Sequence, residues 1–172
     1  DVAVMAFIQK RARESAYINI HAYAAITKGQ KGEELTEMGL LKEAGAVGFT
    51  DDGLPVMNAG VMRKALAYSR EFGVPVAQHA EDLHLSQGSC MNEGKVSAHL
   101  GVAGAPNAAE AVMVERDIIL AELTGGQYHV LHISTAEAID AVRRAKKKGL
   151  KVTAEAAPHH FTLTDEAVME YR

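Results

Sequence analysis

A single cysteine, Cys90, and no tryptophan occur in 172 residues. One thiol excludes an internal disulfide framework in this chain and fits a reducing compartment. Cys90 lies in a polar, glycine-containing stretch with no base partner in its neighbourhood, which argues against a catalytic thiol. Aromatic residues make up only 5% of the chain, while hydrophobic residues make up 48%. The core therefore has to come from Ala, Val, Ile, Leu and Met, a composition that suits helices packed on a sheet. No stretch approaches the roughly 20 apolar residues of a membrane span, and no signal-peptide pattern opens the chain. The expected location is the cytoplasm. Neither G-x-G-x-x-G nor G-x-x-x-x-G-K-[ST] is present, so phosphate-cradling loops are not indicated, and no H-E-x-x-H offers a helix-borne metal motif. Net charge is −4 with both signs interspersed, leaving no basic face for nucleic acid. The one basic cluster, from Arg143 to Lys148, falls at an expected helix C-terminus. Cations there complement the negative end of the helix dipole, and the cluster reads as a solvated cap.

What is present is an alternation of helix and strand. Val2 to Glu14 carries Val4, Phe7 and Ile8 at helical spacing, and Ala16 to Ala25 reads as a strand. Lys28 to Gly32 is a loop. Glu33 to Ala44 reads as a helix with Leu35, Met38 and Leu41 on one stripe, stopped by Gly45. Ala46 to Thr50 is a short buried strand. Asn58 can cap a helix that runs to Phe72 and ends at Gly73. Val74 to Gln78 is the next strand. Ala80 to Pro106 is a long connection holding four glycines (88, 94, 101 and 104) and Asn92, a length that implies either disorder or a segment covering a site. Asn107 starts a helix from Ala108 to Thr124, with Glu110 as its capping-box partner. Gln127 to His132 is a strand, and Ser134 or Thr135 caps a helix to Lys148 that Gly149 ends. Leu150 to Ala156 is the last strand, closed by Pro158. Helix–strand units in series imply parallel strands with helical crossovers. An open doubly wound sheet and part of a (β/α)8 barrel both fit. A whole barrel takes about 250 residues, so this chain corresponds to about five of eight strands, and the strand ends favour the partial barrel. Residues 1–172 read as a single segment of it. The chain opens on Asp1 inside an apparent helix, so it is expected to begin within a larger protein.

Three strand ends carry the chemistry. Phe49-Thr50-Asp51-Asp52-Gly53, Gln78-His79-Ala80-Glu81-Asp82 and Leu131-His132-Ile133-Ser134 each place an acid or an imidazole at a carboxyl end, where parallel α/β folds do their chemistry. Asp52, His79 and His132 converging on one rim form a donor set for a divalent metal, zinc first. Asp51-Asp52-Gly53 also reads as a turn, in which acidic side chains bond nearby N–H groups. Glu81 and Asp82 read either as acids in a helix's first turn or as partners that orient His79. His21 and His129 lie within expected strands and fit packed, hydrogen-bonded roles. His84 and His99 fall in the long connection and should be exposed. His159 and His160 follow Pro158 on the functional rim and suit contact with substrate or with the ligands.

In order, GFTDDG, QHAED, NEGK with GAPNAAEAVMVERD, YHVLHIST and VTAEAAPHHFTLTDE resemble the bacterial dihydroorotases of the cyclic amidohydrolase branch. The resemblance spans essentially the whole chain. It implies a metal-dependent (β/α)8 barrel, about strands 3 to 7 of which are present. It also implies zinc-dependent, reversible interconversion of L-dihydroorotate and N-carbamoyl-L-aspartate in pyrimidine synthesis. Asp52 resembles the family's strand-4 acidic ligand, which stands where hydantoinases carry a carboxylated lysine. His79 and His132 resemble the strand-5 and strand-6 ligands. Asp51, Glu81 and His159 are assigned to the surrounding shell. The family's H-x-H pair, its adjoining arginine and an asparagine are expected upstream of Asp1. The acid/base aspartate is expected beyond Arg172, so no catalytic residue of that kind is assigned in this chain. A small-molecule substrate, a homodimer and association with aspartate transcarbamoylase follow as expected partners. Hydantoinase- or allantoinase-type cyclic amidase and a non-catalytic partner of aspartate transcarbamoylase are the alternatives.

Overall fold

Five parallel strands form one sheet, and the helices that connect them cover one of its faces. The computed structural model describes residues 1–169. In chain order the elements are α1 (Val2–Ser15), β1 (Ala22–Ala24), α2 (Met38–Glu43), β2 (Ala46–Phe49), α3 (Ala59–Phe72), β3 (Val76–Gln78), α4 (Leu83–Ser86) and β4 (Met91–Asn92). There follow α5 (Lys95–Leu100), β5 (Gly104–Ala105), α6 (Ala108–Thr124), β6 (Tyr128–Val130), α7 (Ala136–Lys147), β7 (Val152–Ala154) and α8 (Pro158–Thr162). The main sheet runs β1-β2-β3-β6-β7, with every neighbouring pair parallel. All five carboxyl ends therefore meet at one rim.

The core lies between sheet and helices. Phe49, Val76, Tyr128, Val130 and Val152 pack from the strands against Met62, Leu66, Val114 and Ala138 from the helices. On α3 the buried positions Val61, Met62, Ala65, Leu66 and Ser69 form one stripe, the face that helical periodicity turns to a sheet. The Asn58 side chain accepts from the Gly60 and Val61 amides at 2.9 and 3.2 Å, and Gly73 ends the helix in the left-handed region. Thr135 caps α7 through the Ala138 amide. The basic cluster is drawn into exposed ion pairs: Arg143 with Asp140, Arg144 with Glu115 and Lys148 with Glu122.

Several expected elements are shorter than their apolar runs. Of residues 16 to 25 only Ala22–Ala24 is strand, and Tyr17 and Ile18 are exposed. The β-rich composition of 16–21 finds no partner strand among the described residues, and propensity without pairing makes no sheet. The helix expected from Glu33 starts only at Met38. Leu35 instead bridges Thr27, and the Thr36 hydroxyl donates to the Ala25 carbonyl at 2.7 Å, so this segment is held to the sheet edge. The connection from Ala80 to Pro106 is ordered into α4, α5 and the small parallel pair β4–β5. Asn107 makes no side-chain cap, and Glu110 serves another purpose, described below.

Close packing of α3 on the start of β6 needs a glycine. A Cβ on Gly126 would lie 2.6 Å from the Leu66 carbonyl oxygen, a backbone atom that cannot swing away. Gly126→Ala is expected to cost about 1–3 kcal/mol, read as a lower urea midpoint with the slope unchanged.

Candidate metal centre

Asp52, His79 and His132 each stand just past a strand. β2, β3 and β6 are adjacent in the sheet, so the three side chains meet at the rim. Their donor atoms all lie within 4.8 Å of one another. His79 Nδ1 and His132 Nε2 are 3.0 Å apart. Asp52 Oδ1 is 3.8 Å from the first and 3.5 Å from the second. Metal–ligand bonds of about 2.0–2.1 Å in tetrahedral geometry place donors about 3.3 Å apart. One oxygen and two imidazole nitrogens at 3.0–3.8 Å fit a single divalent ion.

The tautomer of His79 follows from its other nitrogen. Nε2 lies 2.9 Å from Glu81 Oε2. An ionised carboxylate only accepts, so Nε2 carries the proton and Nδ1 turns its lone pair toward the cluster. Glu81 is kept ionised: hydrogen bonds from Ser86 and then His79 hold its carboxyl below the usual carboxylate range. Of the two acids after His79, Glu81 is therefore the orienting partner. Asp82 caps α4 by accepting from the His84 and Leu85 amides.

His132 carries a positive φ of 36°, rare for a residue with a side chain. Such backbone strain concentrates at functional sites, at about 1–3 kcal/mol each. It turns the chain sharply after β6, beside His79.

The neighbouring acid, Asp51, has a different fate. It is 1% exposed, and its Oδ1 accepts from the Ile26 and Thr27 amides at 2.8 and 3.1 Å, while Oδ2 takes the Thr27 hydroxyl. Its carboxylate is spent tying the end of β2 to the end of β1. His159 is exposed and lines a cavity of about 400 Å³ with Cys90 and Asp165. His160 lines that cavity too, and also the one of about 190 Å³ that holds His79, Glu81 and His132. Asn92 of β4 and Pro106 form part of the smaller cavity's wall, so the long connection does border the cluster. His84 and His99 are exposed as expected. His129 of β6 bonds Thr153 on β7 and Glu155 just past it, and His21 lies just before β1.

Two hydrogen-bonded groupings on α6, one half-buried and one buried, escaped the sequence reading. Glu110 accepts four hydrogen bonds from the loop after His132. The Ser134 amide and hydroxyl are at 2.8 and 3.0 Å and the Thr135 amide at 2.7 Å, with the Thr135 hydroxyl completing the set. Asp117, fully buried, accepts from Gln78 Nε2 at 3.2 Å and from Arg116 Nε at 2.8 Å. Arg116 also donates to the Met57 and Val56 carbonyls at 2.8 and 2.9 Å. Burial pushes the Asp117 carboxyl up to about 6, with Arg116 opposing. The buried Tyr128 hydroxyl lies against the same carboxylate without a well-formed hydrogen bond.

A parallel sheet with crossover helices and an Asp/His/His cluster at its carboxyl rim defines the class by fold: part of a (β/α)8 barrel. Solved structures share this architecture. L-hydantoinase from Arthrobacter aurescens superposes with a TM-score of 0.75 at 18% identity, over 96% of this chain and 38% of that one. D-hydantoinase from Bacillus sp. AR9 gives 0.71 at 24%, over 99% and 39%. The chain belongs to the dihydro-orotase-like family, whose sequence profile matches residues 2–138. It is 56% identical to a dihydroorotase of Pelotomaculum thermopropionicum, over 98% of this chain and 39% of that protein. It is 54% identical to one of Wolbachia sp. subsp. Drosophila simulans, over 99% and 38%. The chain thus spans somewhat under two fifths of the length of these relatives.

Proposed function

We propose that residues 1–172 form the central segment of a dihydroorotase that interconverts L-dihydroorotate and N-carbamoyl-L-aspartate with zinc. The observation that carries this reading is the Asp52–His79–His132 cluster at one rim of a chain 56% identical to a dihydroorotase. Asp52, His79 and His132 would hold the zinc, which would supply Lewis acidity for the ring amide carbonyl and lower the pKa of a water molecule toward neutrality. The chain's own residues set that chemistry up. Asp52 contributes the anionic donor and lowers the net charge of the site. His79, held by Glu81, presents Nδ1 as a fixed lone pair, and His132 presents Nε2 from the turn after β6. In ring opening the water oxygen joins the carbonyl carbon, the amide C–N bond breaks, one water proton ends on the nitrogen, and the other is released as the new carboxyl group ionises. The proton carrier is assigned to an aspartate downstream of Arg172, and the remaining donors to an H-x-H pair upstream of Asp1. The reading extends to a cytoplasmic protein that works as a homodimer or beside aspartate transcarbamoylase, which sedimentation of the full-length protein with and without that enzyme checks.

The deciding experiment offers the full-length protein dihydroorotate, hydantoin and allantoin with zinc restored. Turnover of dihydroorotate alone is expected. Preference for hydantoin or allantoin overturns the substrate assignment, and no turnover of any of the three overturns the enzymatic one. Glu81→Gln is expected to weaken zinc binding about 10–100-fold, the usual consequence of losing a carboxylate that orients a ligating imidazole. Competition with a chromophoric chelator measures it.

A further inference from the structure

Helix α6 contributes no donor to the cluster, yet it bonds the chain within three residues of His79 and His132 and four residues beyond Asp52. At its N-terminal end, Glu110 takes four hydrogen bonds from Ser134 and Thr135, two and three residues after His132. Two helical turns further on, Asp117 accepts from the side-chain Nε2 of Gln78, the residue immediately before His79. Arg116 holds the Val56 and Met57 carbonyls, in the segment that leaves Asp52. Gln78 closes the circuit, because its Oε1 accepts from the Val56 amide at 3.2 Å. Seven residues separate Glu110 from Asp117, a spacing that puts both on one face of a helix. None of these contacts is a backbone hydrogen bond within α6 itself.

From this we infer that Glu110, Arg116 and Asp117 are positioning residues that fix Asp52, His79 and His132 relative to one another. The inference rests on the metal-site reading above. The mechanism is geometric. Each ligand sits on a short loop past a strand of three or four residues, and loops of that kind drift unless their backbone groups are held. A charge-assisted hydrogen bond to a loop amide, hydroxyl or carbonyl is among the stronger ways to hold one. A donor triangle of fixed size binds one ion well, and a looser triangle binds it less well while the protein stays folded.

The test uses the full-length protein and three conservative variants. Glu110→Gln keeps the side-chain length but replaces one accepting oxygen with an N–H donor. Asp117→Asn does the same at the other end. Glu115→Gln is the control: it makes the same charge change on the same helix, at a side chain whose partner is Arg144 on the surface. Zinc affinity is read by chelator competition, and melting temperature alongside it. The expected result is about 10-fold or more weaker zinc binding in Glu110→Gln and in Asp117→Asn, matching what lost support of a ligand usually costs, with Glu115→Gln unchanged. Cobalt substituted for zinc should show an altered visible spectrum in the first two variants only. If Asp117→Asn does not fold, the partly exposed Glu110 still decides the matter. Variants that melt earlier yet bind zinc within twofold of wild type overturn the inference and leave these contacts purely structural. A wild-type protein that takes up no zinc overturns the metal-site reading, and this inference with it.

Discussion

His132→Asn in the full-length protein is expected to lose zinc binding by about 10³-fold, or roughly 4 kcal/mol, while its fold remains intact. The choice of asparagine matters. His132 has a φ of 36°, and asparagine tolerates the left-handed region better than most residues with a side chain. An alanine there would keep the strain and remove the imidazole together, so a loss of binding could be blamed on either. Asparagine separates them. Unfolding by urea should give a midpoint equal to wild type or slightly higher when both are measured without metal, and chelator competition should show the binding loss. Undiminished zinc affinity would remove His132 from the ligand set. A collapse in stability would mean that the imidazole is structural, through its 3.0 Å approach to His79.

Asp117 governs the second large effect, which is on stability against pH. Its carboxyl is raised from 3.8 to about 6, first by burial, against the pull of Arg116. A raised acid means that the folded state holds the proton more tightly than the unfolded state. Stability from this group is therefore fully present below about pH 4 and is lost as pH rises through about 6. Two pH units at 1.36 kcal/mol each make the swing on the order of 3 kcal/mol. The groups facing the carboxyl are Arg116, Gln78 and Tyr128, and the phenol, itself pushed upward, does not ionise in this window. Other carboxylates also titrate between pH 4 and 6, so the informative quantity is the difference between wild type and Asp117→Asn. With metal chelated, that difference should change by about 3 kcal/mol across the window. Parallel stability curves would show that Asp117 titrates as an ordinary carboxyl.

The metal candidates were legible in sequence because strand ends are legible. A buried apolar run followed by an acid or histidine needs no knowledge of partners, and parallel topology then gathers such ends at one rim. Glu110 was not legible for the opposite reason. Three residues after Asn107, it matches a capping box, and nothing local reveals that Ser134 and Thr135 will approach from the other side of β6. Asp117 and Arg116 look like surface charges until α6 is seen to be packed on both sides. The stretch Tyr17 to Ile20 misled because apolar β-formers register propensity, whereas a strand also needs a neighbour. Asp51 and Asp52 are adjacent and chemically identical. Only the turn after β2 shows that the first faces inward to Thr27 and the second outward to the histidines.

Hanging the three loops that carry the candidate ligands from one helix also bears on how the centre tolerates thermal motion. A sliding of α6 as a rigid body carries the attached loops in the same direction, so that displacement is common to the candidate donors and cancels from the distances between them. Only differential motion, one loop against another, changes the 3.0–3.8 Å triangle. Relaxation measurements on the metal-free protein should then find the histidine rings moving in phase with the helix, with correlated rather than independent jitter.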